Sequence, residues 1–317
     1  MQHIVSLEKC SSYSQNDVDK SARKLIDNLG GIENFVKKGQ KVLLKPNVVK
    51  GMAPEECGTT HPAVVESMIK ILKEINCDVY VGDNPFADDA IEALKICGIY
   101  DVCKKYDARI AVFDRKINHT NKNGLVVKEF PLTHYFDEVD AVINMPKLKT
   151  HSQLYFTGAV KNLYSIMPGP RRGFYHMKYS NMEHFANMLL DLYSLLRKKV
   201  VLNVIDGIYG MEGNGPCSGS PKFAGILAAS SDAVALDFAA CNLIGLDVSN
   251  LPTIHYARKR KDYLFDEKNI KLAGEYISKI KIKPFAEAER KTLNMMPKFV
   301  NSFKDYITRH KEELAYY

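Results

Sequence analysis

Apolar residues in this chain gather in short runs of valine, isoleucine and leucine, each followed by a polar cluster and then by apolar positions at helical spacing. Lys41–Leu44 leads into Lys45, Pro46 and Asn47, and Val79–Val81 leads into Asp83 and Asn84. Ala141–Asn144 leads into Pro146, Lys147 and Lys149, Val200–Ile205 into Asp206 and Gly207, and the run "AGILAASSD" closes on Ser231 and Asp232. Uninterrupted apolar runs suit strands covered on both faces. Their alternation with helices predicts an α/β fold, a mostly parallel sheet flanked by helices. Ligands in such folds bind beyond the carboxyl ends of the strands, and all of these polar clusters are expected at that edge.

Two helices are legible in detail. Phe185, Met188, Leu189, Leu192, Leu195 and Leu196 recur at helical spacing, with Arg197–Lys199 in the last turn. The segment Thr60–Glu74 opens on a capping residue and an early proline, Pro62, which suits a first turn. Leu125–Leu132 reads as an edge strand because Pro131 interrupts it. Beyond about Leu272 the pattern is helical, with Phe299, Val300, Phe303 and Ile307 on one stripe. The expected organisation is therefore an α/β domain over 1–271 and a helical C-terminal arm over 272–317.

Composition narrows the class. An apolar fraction of 46% and a charged fraction of 26% fit a folded globular chain and exclude collagen, coiled coil and global disorder. The net charge of +7 leans only weakly towards acidic ligands. The densest basic run, Arg258–Lys261, is flanked by tyrosines, which suits nucleic-acid stacking, but a solvated helix end is the plainer reading and nucleic acid is not expected as a partner. No stretch reaches the ~18 apolar residues of a membrane span and the first residues lack an apolar leader, so no membrane is expected and the cytoplasm is the expected location. Seven cysteines without a C-x-x-C pair argue against a disulfide framework or zinc ribbon.

The chemistry concentrates at a few junctions. Ile143–Gly169 holds Lys147, Lys149, His151, Lys161 and Asn162 between a strand and a helix. A helix starting at Thr157 or Gly158 would turn free N–H groups towards the same space, where a carboxylate or phosphate could sit. Thr60 or His61 caps the next helix, and His61 is either structural, a metal ligand or a general base. Cys57, near that helix terminus, is a candidate reactive thiol. Asp206–Pro221 is rich in glycine yet carries no Walker or G-x-G-x-x-G pattern, so ATP and NAD are not indicated. Its Asp206 and Glu212 offer carboxylates for metal coordination or proton transfer, and Asn214 lies beside them. Asp237 is either a buried hydrogen-bonding carboxylate or a site residue. Arg171, Arg172 and His176 lie in a Gly/Pro-bounded loop read as a lid or as a mobile basic surface.

The blocks "LLKPN" (Leu43–Asn47), "TTHPAVVESMI" (Thr59–Ile69), "VGDNP" (Val81–Pro85), "INMPKLKTH" (Ile143–His151), "TGAVKNLYSIMPG" (Thr157–Gly169), "DGIYGMEGNGP" (Asp206–Pro216) and "SSDAVALDFAA" (Ser230–Ala240) resemble, in order, those of the domain-of-unknown-function family numbered 362. The resemblance spans about the first four-fifths of the chain. Many members of that family look like fusions to a bacterial-type ferredoxin module, which implies electron transfer and anaerobic metabolism. This chain has no C-x-x-C-x-x-C run, so a ferredoxin-type iron–sulfur cluster is not expected, and a redox role would draw on a separate electron-transfer protein.

The expected function is an enzyme acting on a small anionic substrate, a carboxylate or phosphate, with metal-assisted or redox chemistry open. The alternative is a non-catalytic accessory protein that holds an anion, cofactor or metal for a partner. Lys45, Asn47, Thr60, Lys147, Lys149, Lys161, Asn162 and Asn214 are the expected binding residues. His61, His151, Asp206 and Glu212 are the expected acid–base or metal-binding groups.

Overall fold

The computed structural model describes residues 2–86, 88–169, 171–179, 181–261, 263, 265–274, 280 and 282–289. Twelve strands are present among them. They are β1 (His3–Lys9), β2 (Lys41–Pro46), β3 (Asp78–Val81), β4 (Arg109–Ile110), β5 (Lys116–Thr120) and β6 (Glu129–Thr133). The others are β7 (Ala141–Met145), β8 (Lys147–His151), β9 (Tyr155–Thr157), β10 (Val200–Glu212), β11 (Ser220–Ser230) and β12 (Ile270–Gly274). The helices are α1 (Gln15–Asp27), α2 (Pro62–Glu74), α3 (Ala90–Ile96), α4 (Ile99–Lys105) and α5 (Tyr135–Glu138). They continue with α6 (Ala159–Asn162), α7 (Arg171–Lys178), α8 (Met182–Leu196), α9 (Ala233–Leu243) and α10 (Pro252–Ala257).

Ten strands form one sheet in the order β12-β1-β11-β10-β7-β2-β3-β4, with β8 joined to β10 and β9 to β8. Most neighbours are parallel, as the apolar runs predict, and both faces are covered. Val42 and Leu44 pack with Val18, Leu25, Val64 and Met68 of α1 and α2. Leu43 and Val142 point the other way, into a cluster with Phe185, Met188 and Leu192 of α8 and Val234 and Leu236 of α9. Alternation within each run thus feeds two cores, which is why the runs carry no polar face.

Several expectations change. β11 is antiparallel to both β10 and β1, so Ser231 and Asp232 lie at the edge opposite the carboxyl ends of β2, β7 and β10. There Asp232 caps α9 and accepts from the Tyr263 hydroxyl. β10 does not stop at Ile205 but runs through Asp206 and its glycines to Glu212, because β11 pairs with it over that length. The proline-containing edge strand is shorter than expected, Glu129–Thr133, and pairs with β5 in a separate two-stranded sheet. Arg171–Lys178 is a helix, α7, rather than a loop, and His176 packs against Tyr164 and Phe185. In the basic run Arg258 pairs with Glu267, while Arg260 is buried on Asp191 at 2.8 Å, so the run is neither a uniformly solvated helix end nor a row of free cations.

The boundary placed after residue 271 cuts through β12, which pairs in parallel with β1. Residues 282–289 are irregular chain lying on the domain, with Phe285 and Ala288 buried, rather than a helical arm. The helical stripe expected from Phe299 to Ile307 lies outside the described residues.

Candidate functional site

The segment after β7 does not turn into a helix at once. Pro146 interrupts the chain, β8 follows, and β8 pairs with β10 so that Lys147 stands opposite Asp206. A strand repeats its facing every second residue, which puts Lys147, Lys149 and His151 on one face of β8. Lys45, Lys147 and Lys149 are all 0% exposed, and ammonium groups this deep require partners.

Two of these lysines bring a carboxylate. Lys147 Nζ lies 2.8 Å from Asp206 Oδ2 and donates to the Tyr13 hydroxyl at 2.7 Å, while that hydroxyl donates to Asp206 Oδ1 at 2.8 Å. The backbone N–H of His61 reaches Asp206 Oδ2 at 2.9 Å, tying the start of α2 to the same carboxylate. Lys45 Nζ lies 2.8 Å from Asp83 Oδ1, Ser165 bonds to both, and the second oxygen of Asp83 accepts from the N–H of Val48 at 2.7 Å. Lys45 and Lys147 are therefore neutralised from within the protein.

Lys149 lies between them and differs. Its ammonium donates to Asn47 Oδ1 at 2.6 Å and to the Gly58 carbonyl at 2.8 Å, and no carboxylate pairs with it among the described residues. Burial is the main influence on its pKa, lowering it to about 8; Cys217 opposes that and the Lys147 charge adds to it. The folded protein then binds fewer protons at this lysine than the unfolded chain between about 8 and the ordinary value of 10.5, so stability contributed here rises with pH across that window. The Lys149→Met variant should lack this increment, ~3 kcal/mol at full extent. Urea unfolding of both proteins at pH 7.5 and 10 measures it as a difference of differences.

From Lys149 a row of amides crosses the sheet. Asn47 Nδ2 donates to Asn162 Oδ1 at 2.8 Å, Asn162 Nδ2 to Asn144 Oδ1 at 2.7 Å, and Asn144 Nδ2 to Asn203 Oδ1 at 2.8 Å. Asn203 Nδ2 ends on the Ser230 carbonyl at 3.2 Å. Register builds the row, since Asn144 stands opposite Asn203 and Asn203 opposite Ser230. Thr60 braces its near end: its backbone N–H donates to the Asn47 carbonyl at 3.0 Å, while its hydroxyl accepts from Asn47 N at 2.8 Å and donates to the Met145 carbonyl at 2.6 Å.

Both histidines are committed at Nδ1. His61 caps α2 by accepting from Ala63 N at 3.2 Å, and its ring stacks on Tyr13 with centroids 3.6 Å apart. His151 accepts from Gln153 N at 3.0 Å and Leu154 N at 3.1 Å. The neutral rings therefore carry hydrogen on Nε2, which makes that atom a donor rather than a base or metal ligand. Burial holds both neutral: His61 falls to about 4, and His151 falls well below its ordinary value, helped by the nearby charges of Lys161 and Lys149. No cluster of three or more His, Cys, Asp or Glu side chains suited to a metal ion occurs among the described residues. The residues present do not fit a metal centre built on His61 and His151.

The expected anion site at the start of α6 is filled by the protein itself. Asp237, from α9, accepts from Ala159 N at 2.5 Å and Val160 N at 3.1 Å, and burial raises its pKa to about 7. Gly158 makes room, because a Cβ there would lie 2.1 Å from Asp237 Oδ1. α6 so anchored presents Asn162 to the amide row and Lys161 over the Tyr164 ring, 4.4 Å from its centroid. Cys57 does not become reactive, since burial pushes its thiol up rather than down.

Glu212 and Asn214 stand apart. Glu212 follows Met211, the β10 residue opposite Lys149, but its carboxylate is engaged elsewhere. Glu212 pairs with Lys222 and accepts from Ala286 N, and Asn214 accepts from Glu289 N, so together they seat residues 286–289. Neither joins the lysine cluster. Conversely, Tyr13, Ser165 and Asn203 belong to the cluster without having been singled out in sequence. For Asn203, as for Asn144, the available signal was a polar residue inside an apolar strand run.

The class defined by this fold and cluster is an α/β protein whose buried polar residues converge where β2 and β7 end, beside Asn203 and Asp206 of β10. The chain belongs to the family described as domain of unknown function (DUF362), which it matches over residues 42–242. It is 35% identical over 251 residues to a thylakoid-associated protein of Synechocystis sp., an alignment covering 79% of this chain and 77% of that one. Among solved structures it is similar to the lactate racemase apoprotein from Thermoanaerobacterium thermosaccharolyticum, with a TM-score of 0.51 at 12% identity. That match covers 77% of this chain but 57% of the racemase chain, and at such identity it shows the fold alone. No described helix is long and apolar enough to cross a membrane.

Proposed function

We propose that this protein is an enzyme acting on a small anionic molecule, a carboxylate or phosphate, bound beside β8 at the carboxyl edge of the sheet. The observation that carries the reading is the bare charge of Lys149. Its neighbours Lys45 and Lys147 have carboxylates of their own, whereas Lys149 has two neutral acceptors, and a buried cation in that state favours an incoming anion. The surrounding groups are donors: the Nε2–H of His151 and the hydroxyl of Thr157, which stands directly across from Lys149 and has no hydrogen-bond partner among the described residues. Lys161 adds positive charge close to His151. A lysine titrating near neutrality can also release or take up a proton, which gives the same residue a role in proton transfer. In this reading the protein works in the cytoplasm and its ligand is diffusible.

Calorimetric titration at pH 7 with inorganic phosphate and with acetate tests this. Wild type should bind at least one of them, and Lys149→Met and Asn47→Asp should each bind about tenfold more weakly or worse. Asn47→Asp keeps the shape of the site but gives Lys149 a carboxylate. Equal binding by wild type and both variants would remove Lys149 from the ligand's contacts and end the reading.

A further inference from the structure

The amide row behind Lys149 has a direction. An asparagine side chain can usually be turned to exchange its oxygen and nitrogen, but here both ends are fixed. Lys149 only donates, so Asn47 must offer oxygen, and the Ser230 carbonyl only accepts, so Asn203 must offer nitrogen. Between them each amide presents oxygen towards Lys149 and nitrogen away from it. Four dipoles, on residues no more than 9% exposed, are thus aligned head to tail with the negative end at the ammonium.

We propose that Asn47, Asn162, Asn144 and Asn203 act as one dipolar row that holds the charge on Lys149 in place of a carboxylate and thereby positions it for its ligand. The proposal deepens the reading of Lys149 given above and rests on it for its functional meaning, though not for its test. A carboxylate would hold the lysine equally well but would cancel the charge that an anion needs. Aligned amides stabilise the ammonium while leaving its positive charge uncancelled, and in a medium of low dielectric each strengthens the next. Asn162, Asn144 and Asn203 are positioning residues in this scheme. Of these four asparagines, Asn47 is the one that touches the lysine.

The test reads the lysine directly. In protein labelled with carbon-13 at lysine Cε, the Lys149 signal is assigned by its loss in Lys149→Met and followed from pH 6 to 11. Asn162→Leu, Asn144→Leu and Asn203→Leu should each lower its titration midpoint, by about half a pH unit or more for the nearest and by progressively less along the row. The remaining lysine signals report whether each variant is folded, and three positions keep the comparison alive if one is not. Midpoints that stay at the wild-type value, or that shift without order along the row, would overturn the proposal. An ordered shift in a protein that binds neither phosphate nor acetate would uphold the row while removing the anion reading.

Discussion

Replacing Asp206 with alanine is expected to destabilise the protein by about 3–5 kcal/mol, the cost of stranding a buried ammonium. The side chains of Asp206 and Lys147 are both 0% exposed and 2.8 Å apart, so water has no ready route to the orphaned charge. The same carboxylate takes the Tyr13 hydroxyl and the His61 N–H, and their loss adds to the deficit. The decisive comparison is the double variant Asp206→Ala, Lys147→Met. If the uncompensated charge is the main cost, the second change should restore much of what the first removed, because an apolar pair of similar volume is often tolerated where a broken ion pair is not. Urea unfolding of wild type, the single variants and the double variant measures it. A double variant no more stable than Asp206→Ala would shift the cost to Tyr13 and His61.

Asp191→Ala is expected to cost a similar amount, about 3–5 kcal/mol, because it too strands a buried cation and also unties a loop. Asp191 Oδ1 holds Arg260 at 2.8 Å and accepts from Leu125 N at 3.0 Å, and Oδ2 accepts from Val126 N at 2.8 Å and Val127 N at 2.9 Å. One carboxylate in α8 thus fixes three consecutive N–H groups of the chain leading into β6 and the turn after α10. Its removal leaves an arginine that is 3% exposed without its carboxylate and frees residues 125–127. Thermal unfolding should show the loss of stability, and trypsin should cut faster at Lys122 and Lys128. Unchanged cleavage together with lost stability would assign the whole effect to Arg260.

The parts of the fold legible in sequence are those with local causes. β2, β3 and β7 follow from apolar runs that must be buried on both faces, and α2 and α8 follow from their stripes and caps. The direction of β11 is not local: "AGILAASSD" reads the same in either orientation, and only its pairing with β10 and β1 turns it round. The glycines of Asp206–Gly213 suggest a turn and so a shorter β10, whereas pairing with β11 keeps Gly207 and Gly210 in the strand and Gly213, at φ 74°, turns after it. Within the site, Lys45, Lys147 and Lys149 stood out by residue type, but sequence could not show which of them bring counter-ions. That depends on Asp83 and Asp206, which arrive from the loop after β3 and from β10. The start of α6 was legible as a place for an anion. That Asp237, 78 residues from Ala159, already fills it was not.

That same carboxylate sets how short a working fragment of this protein can be. A piece ending before α9 would leave the N–H groups of Ala159 and Val160 bare and release the turn that carries Lys161 and Asn162, even though every lysine of the cluster would still be present. The family match, which ends at residue 242, retains Asp237 but begins after Tyr13, so a fragment cut to it would keep the support under α6 and lose the phenol bound to Lys147 and Asp206. A piece running from β1 through α9 retains both supports.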